Sequence, residues 1–186
     1  MSFWNDPLIS VKRSYRWLVY FGNLDPMLAK KVQLPGWSMT ETKHSFLNHT
    51  FWYPGRIEWT TVDVTFVDPA FPDSTSELLN ILKQSGFELP ETYRDSVKTI
   101  SKSLAATSQG GLGTVTIEQI DENGSALSKW QLVNAWLKDV KLSELSYEDD
   151  GITEITATVR YDFAKYTAMS GTPVSPFPAD GSTPSD

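Results

Sequence analysis

Cysteine is absent from the 186-residue chain, which excludes a disulfide framework and any thiolate-held metal. Histidine is nearly absent, His44 and His49 being the only two. Ligands sharing a strand face stand two residues apart and those sharing a helix face stand four apart, so this pair has neither spacing. Both read as exposed loop or edge-strand residues. No apolar run approaches the roughly 18 residues that signal a membrane span. The missing cysteine is compatible with a cytoplasmic site of folding, and the opening Met1–Pro7 lacks the basic and apolar blocks of a secretory signal. Positive charge is also in short supply. Lys and Arg total 16 against 23 Asp and Glu, for a net charge of −7, whereas proteins that grip nucleic acid through its phosphates present a basic surface. The acidity suits simple solubility, or a surface that must not adhere to a polyanion.

Catalytic patterns are missing in the same way. No serine sits in a Gly-x-Ser-x-Gly elbow. The run Gly110, Gly111, Leu112, Gly113 lacks the Gly-Lys-Ser/Thr ending of a phosphate loop, and it leads into a strand where such a loop leads into a helix. It reads as a flexible connection. Asp149 and Asp150 are not followed by a regular series of oxygen ligands and read as the solvated tip of a hairpin. The expectation is a protein with no enzyme activity, no cofactor and no bound metal.

What the chain does have is strand periodicity. Ile155, Ala157, Val159, Tyr161 and Phe163 alternate with Glu154, Thr156, Thr158, Arg160 and Asp162, the pattern of a strand with one buried and one polar face. Ile57 to Val67 alternates likewise, with Thr60, Val62, Val64 and Phe66 on one side and Ile57, Trp59, Thr61, Asp63 and Thr65 on the other. Pro69 ends it. Tyr15–Phe21, Lys31–Leu34, Thr114–Asp121 and Ser128–Leu137 are further expected strands, the last two joined by a turn at Asn123-Gly124. Trp130 and Trp136, an even number of residues apart, are expected on one core-facing side. Trp37–Phe51 reads as a long exposed hairpin, and Tyr53-Pro54-Gly55-Arg56 as a turn. Ser74 and Glu77 have the spacing of a capping box ahead of a helix with Leu78, Ile81 and Leu82 as its apolar stripe and Gly86 as its stop. A second helix is expected within Pro90–Ala105.

The length suits one domain, here residues 1–166, followed by a Ser/Gly/Pro-rich tail over 167–186 that is expected to be flexible. The fold class expected is mainly β (α+β), a β-sandwich or half-open barrel with a flanking helix. Trp52 and Trp59 flank the expected turn. An aromatic on a nominally exposed face suggests a contact surface, for subunit packing or for carbohydrate stacking.

Five segments together resemble the tail tube protein family of contractile-tailed phages, which is related to the tube proteins of type VI secretion and injection machines. They are Lys31–Gly36 after the early strand, Tyr53–Phe66, the helix after Asp68, Trp136 with Val140–Leu145, and Glu154–Phe163. The resemblance covers most of residues 15–165; the tail and the stretch Glu88–Gly113 depart from it. It implies a structural subunit that forms hexameric rings, stacked into a hollow tube within a contractile sheath. The partners implied are further copies of the chain, a sheath protein, and baseplate and terminator proteins. The tube would sit in a virion tail assembled in the host cytoplasm, with DNA sliding through the channel unbound and no membrane contact by the subunit. A tube-initiating baseplate component and an injection-machine inner tube are the neighbouring readings, and a carbohydrate-binding module is a more distant one. On the tube reading, lumen-facing carboxylates are sought among Asp63, Glu154, Glu58, Glu118, Asp121 and Asp162. Trp52, Trp59, His44 and His49 are the candidate subunit contacts, with Trp37–Phe51 and Glu88–Gly113 as segments meeting neighbouring subunits.

Overall fold

The computed structural model describes residues 11–87, 99–107, 111–148 and 150–168, with the backbone of Pro173 and Val174. In chain order the elements are β1 (Trp17–Tyr20), β2 (Ala29–Val32), β3 (Trp37–Phe46), β4 (His49–Trp59), β5 (Val62–Val67), α1 (Ser74–Gln84), α2 (Lys102–Ala105), β6 (Gly113–Ile120), β7 (Ala126–Leu142), β8 (Glu154–Arg160), β9 (Phe163–Ala168) and β10 (Pro173–Val174). The main sheet is antiparallel in the order β1-β6-β7-β8-β5-β2, with β9 paired to β7 and β10 to β9. Strands β3 and β4 pair only with each other.

The long strand β7 divides this sheet into two halves. Its residues Ser128–Val133 pair with β9, while Trp136–Leu142 pair with β8. Between them Asn134 adopts φ 55°. Against β6, Gly113 stands opposite Ala135 but Val115 stands opposite Leu132, so β7 carries an extra residue there. Such a bulge bends the strand and sharpens its twist, turning the two halves to face one another. Val19, Ile117 and Leu132 from one half share a single buried cluster with Val64, Phe66, Ala157 and Val159 from the other. Phe21 meets Phe66 edge to face at 5.1 Å between centroids. Strands β1 and β2, at the two ends of the order, do not pair. The expected β-rich, half-open architecture with a flanking helix is therefore what the chain adopts, and the sheet does not close into a barrel.

Several local expectations are corrected. The strand expected over Ile57–Val67 is broken at Thr60 and Thr61, and Ile57–Trp59 belong to β4. Tyr53–Arg56 is not a turn; the hairpin reverses at Leu47, at φ 50°, and Asn48. The Pro54-Gly55 pair sits instead at a bulge, where the partners step from Met39↔Ile57 to Glu41↔Pro54. The expected closing strand is likewise interrupted at Tyr161-Asp162, and beyond it Ala164 is buried while Phe163 is half-buried, so the inward parity flips. The bulge at Asn134 does the same in β7. Buried Leu132 and Ala135 are three residues apart, which puts Trp130 and Trp136 on opposite faces rather than one.

Helix α1 is capped by Asp73, whose carboxylate accepts from the Ser76 amide at 3.1 Å. Ser74 is buried and donates its hydroxyl to the Val67 carbonyl at 3.0 Å, so it cannot serve the capping box expected of it. Leu78 and Ile81 face the core, and Gly86 at φ 100° ends the helix as expected. Residues 90–98 of the expected second helix lie outside the described residues; its described end forms α2. Gly110 and Asp149 lie outside them too. Gly111 and Gly113 are buried and Leu112 belongs to the core. A Cβ on Gly111 would stand 2.2 Å from the Ala105 carbonyl oxygen, so this part of the glycine run is a close-packed crossing and not a free loop. Of the 167–186 tail, Thr167 and Ala168 complete β9, and Pro173 and Val174 pair with Thr167 and Tyr166.

Candidate assembly surface

The β3–β4 ribbon is the most unusual feature of the surface. An isolated two-stranded ribbon is marginal in water, yet this one carries large apolar side chains on both faces. Alternation and register place Trp37, Met39, Trp52 and Ile57 on one face, and Phe46, Phe51 and Tyr53 on the other. All seven are exposed, from 47% for Phe51 to 63% for Phe46. The bulge holds the two faces in this relation. Thr40 Oγ1 accepts from the Arg56 amide at 2.8 Å, and a Cβ on Gly55 would stand 2.3 Å from that oxygen and 2.8 Å from the Thr40 carbonyl oxygen. Only glycine fits there, because the second contact is with backbone.

The four candidate contact residues lie along this ribbon. Trp52 is exposed opposite Lys43, near the middle. His44 stands opposite Phe51 and His49 opposite Phe46 at the tip, with the His49 ring 4.7 Å from that of Phe51. Trp59 differs. It sits at the root, half-buried against the core, with its ring 5.7 Å from Trp37 and 6.0 Å from Tyr161. Trp59 anchors the ribbon to the body more than it faces outward.

The six candidate carboxylates are not brought together. Asp63 lies on the outer face of the β2-β5-β8-β7 half, accepting from Thr158 Oγ1 at 2.7 Å. Glu154 is on the same face but bonded to Lys30 Nζ. Across this face Lys31, Thr65, Thr156 and Lys141 form one row, with Asp63, Thr158 and Asp139 in the next. The face is therefore mixed in sign. Glu118 is on the outer face of the other half, 3.2 Å from Lys129 Nζ. Asp121 accepts the Asn123 and Ser125 amides at 2.8 Å and organises the β6–β7 turn. Glu58 is exposed on the ribbon beside the root.

Asp162 has a distinct structural task. Both its oxygens lie 2.7 Å from Lys102 Nζ, and Asn134 Nδ2 donates to it at 2.8 Å. One carboxylate thus ties α2, the β7 bulge and the β8–β9 corner. Burial pushes its carboxyl up, but the hydrogen bonds from Lys102 and Asn134 and the Lys102 charge outweigh this and leave it below the ordinary value. Beside it, Tyr161 is buried with its hydroxyl unpartnered, and burial raises that phenol to about 12, against the opposing charge of Arg160.

A second apolar surface escaped sequence reading. Leu78, Leu79 and Leu82 of α1 and Leu137, Val140 and Leu142 of β7 line an open groove of about 350 Å³. Leu79 and Leu142 are 59% and 60% exposed. The signal was Leu79 itself, a leucine outside a stripe already complete with Leu78, Ile81 and Leu82. Among the described residues no group of three or more His, Cys, Asp or Glu could hold a metal, and no helix is long and apolar enough to cross a membrane.

A bent antiparallel sheet with one flanking helix and a projecting ribbon is a fold shared with proteins of contractile injection machines. A chain in the sheath/tube terminator of an extracellular contractile injection system (PVC, extended state) superposes with a TM-score of 0.62, at 14% identity, covering 87% of this chain and 99% of that one. A chain in the six-fold symmetrised baseplate of the anti-feeding prophage gives 0.61 at 13% identity, over 87% and 98%. A chain in the PVC sheath-tube complex gives 0.59 at 14% identity, over 91% and 99%. No protein-family model matches the chain, and no curated protein matches it in sequence.

Proposed function

We propose that this chain is a non-enzymatic structural subunit that self-associates into rings and stacks them into the hollow tube of a contractile, tail-like particle. The observation that carries the reading is the β3–β4 ribbon, which exposes apolar side chains on both faces of an element that cannot pack on itself. Ten residues at about 3.3 Å each and two strands about 4.8 Å apart present roughly 650 Å² over both faces, against about 800 Å² per partner in a standard interface. The ribbon alone thus supplies most of a stable contact. The likeness in fold to chains of tube, terminator and baseplate assemblies supports the same reading, and it makes sheath, baseplate and terminator proteins the natural partners. The tube would serve a phage tail as a conduit for DNA, in a virion assembled in the host cytoplasm. A particle that carries no genome is favoured as the second reading, because the fold matches come from extracellular injection systems.

On the phage reading Asp63 is the strongest candidate for a lumen carboxylate, since among the described residues its carboxylate is bonded to a neutral hydroxyl and not held in an ion pair. Negative charge there would repel phosphate within the Debye length, about 8 Å in physiological salt. The test is negative-stain imaging and light scattering of the purified protein at high concentration. Rings or tubes are expected; a strictly monomeric species would refute self-assembly. Particles from the native source with the tube present but DNA absent would select the second reading.

A further inference from the structure

Both histidines of the chain stand on one face of the ribbon, at its tip. The register sets His44 opposite Phe51, Phe46 opposite His49, and Thr42 opposite Tyr53 in the next row of the same face. The His49 ring lies 4.7 Å from that of Phe51, and Phe46, Phe51 and Tyr53 are all exposed. We infer that this tip face is an acid-sensitive contact, joined while both imidazoles are neutral and released when His44 and His49 take up protons. The inference rests on the self-assembly reading above and adds its regulation. There the ribbon supplies most of a stable contact only when both faces are counted, so the tip face lies inside the contact.

Among the described residues no carboxylate on this face is close enough to balance the two protons. Glu58 stands opposite Ser38 at the root, about 20 Å along the strand from His44. Arg56, beside Thr40 in the bulge, is about 13 Å away and is itself a cation. Both distances exceed the Debye length of about 8 Å. Tyr53 brings no charge in this range, since phenols ionise near 10. On the opposite face Glu41 and Lys43 are neighbours of opposite sign. Strands β3 and β4 pair only with each other, so no further strand brings a charge to the tip.

The direction of the effect follows from desolvation. Imidazole ordinarily titrates near 6.5, and an apolar contact disfavours its charged form. Protons therefore bind the free subunit in preference to the assembled one. Association is full above the ordinary imidazole value and is lost as pH falls through it. Each imidazole shielded from protonation weakens association about tenfold between pH 7.5 and 5.5, and the two together about a hundredfold. The tie through Asp162 stays intact there, because its carboxyl is held below the ordinary value and remains ionised.

Sedimentation velocity at pH 7.5 and 5.5 tests this, with a chelator present to exclude metal bridging. The parent should associate about a hundredfold more weakly at pH 5.5. His44→Gln with His49→Gln, at two exposed positions, should keep the circular dichroism of the parent and change its association less than about threefold over the same range. Protonation of carboxylates elsewhere also reduces the charge of −7, but it does so equally in parent and variant. If glutamine itself weakens assembly at pH 7.5, His44→Phe with His49→Phe is the second neutral pair, with the same expected flat profile. A parent that associates as well or better at pH 5.5 overturns the inference and leaves self-assembly standing. Neutral variants that lose association in acid as steeply as the parent do the same, since the titrating groups then lie elsewhere. A parent that stays monomeric at pH 7.5 defeats both readings.

Discussion

Phe66→Ala is expected to cost about 3–5 kcal/mol, the range for truncating a fully buried aromatic. Phe66 has no exposed surface, and its ring meets that of Phe21 at 5.1 Å and 70° between planes. The two rings come from opposite halves of the bent sheet, so the contact reports on the closure of the halves and not on any one strand pair. A domain holds about 5–15 kcal/mol in total, so this loss removes a large share of the stability. Each kcal/mol moves Tm by about 2–4 °C at this chain length, giving a drop of roughly 6–20 °C. Phe21→Ala should behave similarly. Because each ring supplies part of the other's contact, the double variant should cost about 0.5–1.5 kcal/mol less than the sum of the singles. Urea titrations of the four proteins, followed by far-ultraviolet circular dichroism and tryptophan fluorescence, complete the cycle. Strict additivity, or a Phe66→Ala loss below about 1 kcal/mol, would mean that the halves do not close through these rings.

Gly55→Ala should act locally. The added methyl meets the Thr40 backbone, so assembly and amide protection within β3–β4 should fall, while the unfolding midpoint of the body changes by less than about 2 °C; a global loss of stability would contradict the independence of the ribbon. Asp162→Asn removes a carboxyl held below its ordinary value, whose stabilising effect is present above the unfolded value of about 3.9 and lost as pH falls through the folded one. The stability gap between parent and variant should therefore be open at pH 6, on the order of 1 kcal/mol for a partly exposed pair, and should close in acid; a gap that persists at pH 2 would point to packing instead. If the tube conducts DNA, Asp63→Lys should leave tubes intact and slow genome ejection, and unchanged ejection once Asp63 has been shown to line the channel would sink the repulsion argument.

The period-two patterns of Val62–Phe66 and Ile155–Tyr161 determined which side chains are buried, because in a strand parity alone assigns the face. Composition argued in the same direction: the lack of cysteine, the spacing of the two histidines and the net negative charge made catalytic chemistry and a grip on nucleic acid the less expected readings, and Trp37–Phe51 was legible as an exposed hairpin. Local pattern failed wherever parity was reset. Pro54-Gly55 has the composition of a turn, but the Thr40 contact across the ribbon makes it a bulge. Nothing around Asn134 announces the positive φ that puts Trp130 and Trp136 on opposite faces and folds one sheet into two facing halves. The same holds for the six acidic candidates. Their positions along the chain were clear, yet only the approach of Lys102, Lys30 and Thr158 from distant segments, and of Lys129 across the β6–β7 hairpin, separates a structural tie such as Asp162 from a carboxylate bonded only to a neutral hydroxyl such as Asp63. Periodicity and capping are set by residues a few positions apart, whereas grooves and ion pairs such as Lys102–Asp162 and Lys30–Glu154 join segments 60 and 124 residues apart, which meet only once the core has closed.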